Sequence, residues 1–167
     1  MHSRSRSRHR PHPEHADEAL TAFTLERVVT PVLEGMQAAG EPYIGFLYVS
    51  LMLTPDGPKV IEFNVRLGDP EAQVILPLID EPLPPLLLAA AMGDLGSRGC
   101  ARSTDKLVGV VIASRGYPET SESGQPISGL DEAAALPGVS VCHAGTAARD
   151  GRIVTSGGRV LTIVGRG

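Results

Sequence analysis

No tryptophan occurs in the 167 residues, and three Tyr and three Phe complete the aromatic set. A platform that stacks the bases of single-stranded nucleic acid wants more rings than that. Lysine is scarce as well: Lys59 and Lys106 stand against thirteen Arg. Cysteine is limited to Cys100 and Cys142, with no CxxC and no Cys/His ligand spacing. That pattern excludes a recognisable zinc site and fits a reducing cytosol. No apolar run reaches the roughly 18 residues of a membrane span. The longest, 74–92, is cut by Asp80, Glu81 and several prolines. The basic N-terminus has no apolar stretch behind it and does not read as a secretory signal. Neither a P-loop nor a GxGxxG is present.

What is there is close to globular averages. Hydrophobic residues make up 42% and charged residues 20%, enough to bury a core without disulfides or a structural metal. Nineteen Gly and fourteen Pro speak against a long helical bundle. The net charge of −4 is unevenly spread. Residues 1–15, MHSRSRSRHRPHPEH, hold four Arg, four of the five His and one Glu. Without them eleven basic residues face eighteen acidic ones, a net charge of −7. An acidic body argues against non-specific nucleic-acid binding and leaves nucleic acid a poor partner. The stretch 1–15 itself reads as a disordered tail. Two readings of it stay open, a nucleic-acid arm and a neutral extension.

Along the chain, Leu20, Phe23, Val28, Val32 and Met36 recur near helical spacing. They predict a helix over 17–39, with Asp17 as N-cap, Gly40 as terminator and Pro31 either kinking it or marking two helices. Residues 43–53 read as a strand, 55–58 (PDGP) as a turn and 59–66 as a second strand, together an antiparallel hairpin. Asp69-Pro70-Glu71 then predicts a helix start with Asp69 as N-cap, and 82–92 another helix ended near Gly93. From about 103 the texture changes to short strands at 106–114, 139–143, 153–155 and 160–164. They are divided by Gly- and Pro-rich turns and one short helix at 131–136. The expected domains are 16–102 and a small β-rich 103–167.

Chemistry concentrates in VIEFNVRLGDPE, residues 60–71. In a strand running to residue 66, Ile61, Phe63 and Val65 face a core, and Glu62, Asn64 and Arg66 face the other way. A carboxylate and an amide oxygen suit a hard cation that also carries phosphate oxygens. An Arg beyond them can receive a phosphate bidentately. A solvated polar face explains the same alternation. His143, ending a short strand, reads as an acid–base group or as a structural histidine. Gly157-Gly158-Arg159 reads as a phosphate contact or as the turn of a hairpin joining 152–155 to 159–164.

EFNVRLGDPEAQ, after the hairpin PYIGFLYVSLMLTPDGPKV, resembles the end of the ATP-grasp domain of the glycinamide ribonucleotide synthetase (phosphoribosylamine–glycine ligase) family. VVIASRGYPE, GQPISGLDEAAALPGV, HAGT and SGGRVL are similar to that family's C-terminal domain. The resemblance covers about 17–165. It implies an α/β (α+β) fold, the C-terminal part of an ATP-grasp domain followed by a small β-rich, barrel- or sandwich-like domain.

It also implies an ATP-dependent carbon–nitrogen ligase of purine biosynthesis, cytoplasmic, with Mg²⁺ or Mn²⁺ as cofactor. In that family ATP phosphorylates glycine, and phosphoribosylamine attacks the glycyl phosphate to give glycinamide ribonucleotide, ADP and phosphate. Carried over by position, Glu62 and Asn64 match the metal ligands, and Arg66 the catalytic arginine that faces the transferring phosphate. Asp69 and Arg159 are weaker candidates for substrate or nucleotide contact. Arg115 stands where the family usually has Gly. The family's chain is far longer, so the expectation is a fragment with negligible activity alone. The alternative is a non-catalytic module that complements a separate N-terminal half or binds another protein.

Overall fold

The computed structural model describes residues 18–96 and 99–167. The tail 1–15 and the N-cap reading of Asp17 lie outside the described residues. Two compact units emerge: residues up to Ile44 with Val49–Phe63, and Gly45–Tyr48 with Asn64–Gly167.

The first unit opens with α1 (Glu18–Thr24), a π-helical turn (Leu25–Val29) and α2 (Thr30–Ala38). The turn accounts for the expected kink. Pro31 has no N–H to offer the preceding turn and its ring crowds the carbonyl of Arg27. The ladder widens just before it, with Thr30 N–H donating to the Leu25 carbonyl. Val28 is buried, and Leu20, Phe23, Val32 and Met36 are half-buried, the face read from the periodicity. Gly40 ends the run with φ +81°. Its N–H donates to Gln37 O and that of Glu41 to Met36 O, each at 3.0 Å, a Schellman closure.

β1 (Tyr48–Thr54) and β2 (Gly57–Asn64) form a two-stranded sheet. A two-residue connection allows only the antiparallel arrangement. Thr54 Oγ1 donates to Gly57 O at 2.8 Å and accepts from Asp56 N–H at 3.2 Å, closing the turn. One expectation fails here. Ile61, Phe63 and Val65 are 56%, 41% and 71% exposed, so the row does not face a core.

In the second unit α3 (Ala72–Ile75) leads into a 3₁₀ turn (Leu76–Leu78), then α4 (Leu83–Ala91). α4 also ends in a Schellman closure, at Gly93: Gly93 N–H to Ala90 O and Asp94 N–H to Ala89 O. β3 (Leu107–Ala113), β4 (Val139–His143) and β7 (Arg159–Arg166) make an antiparallel sheet of order β3-β7-β4. The central strand carries the core. Val160, Leu161, Thr162 and Val164 are each at most 3% exposed, and this β-branched run suits a strand covered on both faces. The register slips between Ile112 and Ala113, which pair with Leu161 and Arg159. α3 packs on this sheet where Gly109 leaves room: a Cβ there would lie 3.0 Å from Val74 Cγ1. α5 (Leu130–Ala134) lies against β4.

β5 (Thr146–Arg149) and β6 (Arg152–Thr155) form a separate two-stranded sheet. The fold is mixed α/β as expected, but the strands among the described residues close no barrel. Nor are β6 and β7 a hairpin, because β6 pairs with β5. Among the described residues no helix is long and apolar enough to cross a membrane.

Candidate functional site

Glu62 and Asn64 sit two positions apart on β2. Alternation puts both on one face, about 6.8 Å apart along the strand. Glu62 is exposed and Asn64 half-buried at the strand's last residue. The expected row of three stops there. β2 ends at Asn64 and the chain bends at 65–66, so Arg66 does not continue the strand's polar face. Its Nη1 donates to the carbonyl of the next residue, Leu67, at 2.9 Å, which holds the side chain along its own loop.

No group of three His, Cys, Asp or Glu that could hold a metal occurs among the described residues. What β2 offers a cation is the carboxylate of Glu62 and the amide oxygen of Asn64. Both are hard oxygen donors, the chemistry of a Mg²⁺ or Mn²⁺ that keeps waters and phosphate oxygens for its remaining positions. The donor set fits such an ion and does not fit zinc.

The loop after Arg66 is tightly built. Gly68 is buried, and any side chain there would strike the Glu71 carboxylate. Glu71 Oε1 accepts from the Tyr48 hydroxyl at 3.3 Å. Ala72 N–H donates to Gly68 O at 2.9 Å and Ile75 N–H to Glu71 O at 2.9 Å. Phe46, Tyr48, Arg66, Leu67 and Ile75 help line a mostly apolar cavity of about 170 Å³. Nucleotide-sized ligands occupy clefts of roughly 300–1,000 Å³, so this cavity alone does not house one.

Two of the weaker candidates meet each other. Arg159, first residue of β7, reaches back ninety positions to Asp69. Nη2 lies 3.1 Å from the Asp69 carboxylate and Nη1 donates to the Asp69 carbonyl at 2.7 Å. The other Asp69 carboxylate oxygen accepts from Gln73 Nε2 at 2.9 Å. The N-cap reading of Asp69 is thus overturned: α3 starts after Glu71 and has no side-chain cap. The glycines before Arg159 serve close approach. A Cβ on Gly158 would lie 2.5 Å from the Tyr117 ring, and one on Gly157 3.2 Å from Gly145 Cα.

The remaining candidates are scattered. His143 ends β4, exposed, with Nδ1 3.0 Å from Thr146 Oγ1. Arg115 is 86% exposed beside Glu122 at 4.0 Å. Cys142 is half-buried and Cys100 exposed, and neither is in a disulfide. The Tyr48–Glu71 contact was not anticipated. No local pattern links two residues twenty-three positions apart.

Comparison with known proteins matches this layout in two separate pieces. The model "Phosphoribosylglycinamide synthetase, ATP-grasp (A) domain" matches residues 8–72. The model "Phosphoribosylglycinamide synthetase, C domain" matches residues 107–167. A phosphoribosylamine–glycine ligase of Leifsonia xyli subsp. xyli is 46% identical over 155 residues, 90% of this chain and 37% of that protein. The trifunctional purine biosynthetic protein adenosine-3 of Gallus gallus is 51% identical over 139 residues, 83% of this chain and 14% of that protein. The crystal structure of the Thermotoga maritima phosphoribosylamine–glycine ligase superposes with a TM-score of 0.72 at 37% identity, over 87% of this chain and 35% of that one. The chain therefore spans little more than a third of the length of the bacterial ligases it matches. With two models of one family on successive stretches and a superposable ligase, the chain belongs to the phosphoribosylglycinamide synthetase family, of which it carries part of the ATP-grasp domain and the C domain.

Proposed function

We propose that this chain supplies the metal-and-phosphate face of an ATP-dependent ligase that joins glycine to 5-phosphoribosylamine in the cytoplasm. In this reading 16–102 is the end of the ATP-grasp domain and 103–167 the C-terminal domain. The observation that carries it is the Glu62/Asn64 pair of hard oxygen donors on β2, within a stretch matched by an ATP-grasp family model. Glu62 and Asn64 would hold Mg²⁺ or Mn²⁺. When bound, that ion neutralises charge on the ATP phosphates and orients them.

The chain's own groups do the rest by charge and position. A glycine carboxylate oxygen attacks the γ-phosphorus and the bond to ADP breaks. Arg66, always protonated, donates N–H groups to the phosphoryl oxygens as charge builds there. To do so it must exchange its bond to Leu67 O for a phosphate oxygen, a charge-assisted and therefore stronger acceptor. The amine of phosphoribosylamine then attacks the glycyl carbon, phosphate leaves and a proton goes to solvent. Asp69 and Arg159 hold each other.

The chain's reach, about a third of the related ligases, makes its partner in this chemistry the remainder of such an enzyme. ADP release with Mg-ATP, glycine and phosphoribosylamine, each omitted in turn, tests the proposal. Release by the chain together with the remaining two-thirds of the Thermotoga ligase is expected, and should be lost in Glu62→Ala. Release unaffected by Glu62→Ala would overturn it. The alternative, a non-catalytic module, predicts that the two pieces bind without any glycine-dependent release.

A further inference from the structure

We infer that Arg159 is a positioning residue: its double contact with Asp69 locks the 66–71 loop and so fixes where Arg66 is presented. The inference rests on the proposed phosphate role of Arg66 for its functional meaning, and on the Asp69 contacts for its geometry.

The two halves of the latch are rigid for separate reasons. On the Arg159 side, Gly145 N–H donates to Arg159 O at 2.9 Å and Ser114 N–H to Gly158 O at 2.8 Å. A Cβ on Gly157 would lie 3.2 Å from Gly145 Cα, so the backbone before Arg159 runs close against a neighbouring segment of main chain. On the Asp69 side, Gly68 is walled in by Glu71, and the Gly68 carbonyl anchors the first turn of α3 through Ala72 N–H. Between them a planar guanidinium spends one nitrogen on the main-chain carbonyl and another on the carboxylate.

That division of labour is informative. Arg66 bonds a neighbouring carbonyl, which a phosphate oxygen can replace as a stronger, charge-assisted acceptor. Arg159 spends two nitrogens inside the protein, on the residue three positions after Arg66. A main-chain carbonyl as one acceptor means that the contact fixes backbone, not merely a side chain. Lysine could not reproduce it, since a single ammonium lacks the two parallel donors.

Amide hydrogen exchange and NMR on the intact 167-residue chain test this. In Arg159→Ala, exchange at Ala72 N–H is expected to rise about fivefold, while the amides of β7 keep their protection. Arg159→Lys should recover only part of the loss. Unchanged exchange at Ala72, or equal acceleration at Ala72 and along β7, would overturn the latch. Should Arg159→Ala fail to fold, Asp69→Asn removes the carboxylate charge and keeps the carbonyl, and the same local loosening in smaller measure is expected. The second readout is the Arg66 Nε–H resonance titrated with inorganic triphosphate. A shift in the wild type that weakens in Arg159→Ala supports positioning, and a shift unaffected by Arg159→Ala overturns it. A wild-type Arg66 that ignores triphosphate, with Ala72 still loosened in the variant, would sink the phosphate role of Arg66 and leave the latch standing.

Discussion

Two glycines of similar sequence context meet very different neighbours, and the difference sets what a methyl group costs. A Cβ on Gly145 would lie 2.7 Å from Arg159 O and 2.8 Å from Gly157 Cα. Both obstacles are backbone, so relief requires moving strands. A Cβ on Gly158 meets only the Tyr117 ring, which is 44% exposed and can swing outward. Gly145→Ala should therefore cost about 2–3 kcal/mol and Gly158→Ala about 1 kcal/mol, read as a lower urea midpoint at unchanged slope. At the proposed metal pair, Glu62→Ala should abolish the enhancement of water-proton relaxation by Mn²⁺ with triphosphate, while Asn64→Ala weakens it. The reason is charge: the carboxylate carries the Coulomb attraction and the amide only a dipole. Equal binding by Glu62→Ala and wild type would remove Glu62 as a ligand. Much of this was legible in the residues. Oxygen donors two apart in a β-like run already suggest a hard cation. The partner of Asp69 was not legible, because nothing local names a residue ninety positions away.

Elements were legible where local signals were strong. Gly40 marked a helix end because φ +81° is open to glycine and costs an L-residue roughly 1–2 kcal/mol. Gly35, inside α2, has nothing within 4 Å of its would-be Cβ. The same substitution therefore has opposite signs five residues apart. Gly40→Ala should destabilise by about 1 kcal/mol, and Gly35→Ala should stabilise by about 0.5–1 kcal/mol through the smaller entropy of the unfolded chain. Thermal unfolding followed by helical circular dichroism checks both. Equal signs would mean that the closure at Gly40 is not maintained in solution. Elements failed to show where tertiary pairing decides. β5 reads Thr-Ala-Ala-Arg, without the β-branched or aromatic run that marks a strand, and is defined by its register with β6. The apparent hairpin of β6 and β7 looked right by spacing. The close approach of Gly157 to Gly145 and of Gly158 to Tyr117 instead accompanies the change from one sheet to another. β2 stops at Asn64 although Val65 has high strand propensity, a case of chain direction overriding local preference.

At the scale of the molecule the apolar surface is the telling quantity. Met52, Leu53, Ile61 and Val65 are all more than half exposed, and Phe63 is 41% exposed. All lie on or just beyond the two-stranded sheet of β1 and β2. A two-stranded ribbon is marginal in water without a third strand or a packed layer, and large exposed apolar residues on such a ribbon fit a surface that is covered in use. The aligned part of this chain is 37% and 35% of the bacterial ligases matched here. Alone, the chain is expected to bind the dye ANS and to release no glycine-dependent ADP. A reaction whose barrier falls mainly by positioning and electrostatics loses most of its acceleration when part of the enclosing site is missing. Mixing with the remaining two-thirds of the Thermotoga ligase should lower ANS fluorescence and raise ADP release together, because one event, covering the ribbon, completes the site. Phe63→Lys should weaken both effects in parallel, since a charge on the covered face opposes desolvation. Glu62→Ala should spare the fluorescence change and abolish turnover. Turnover by the chain alone would mean that a third of the length is enough. A loss of ANS binding with no turnover would mean that the piece docks but that its metal face is not the catalytic one.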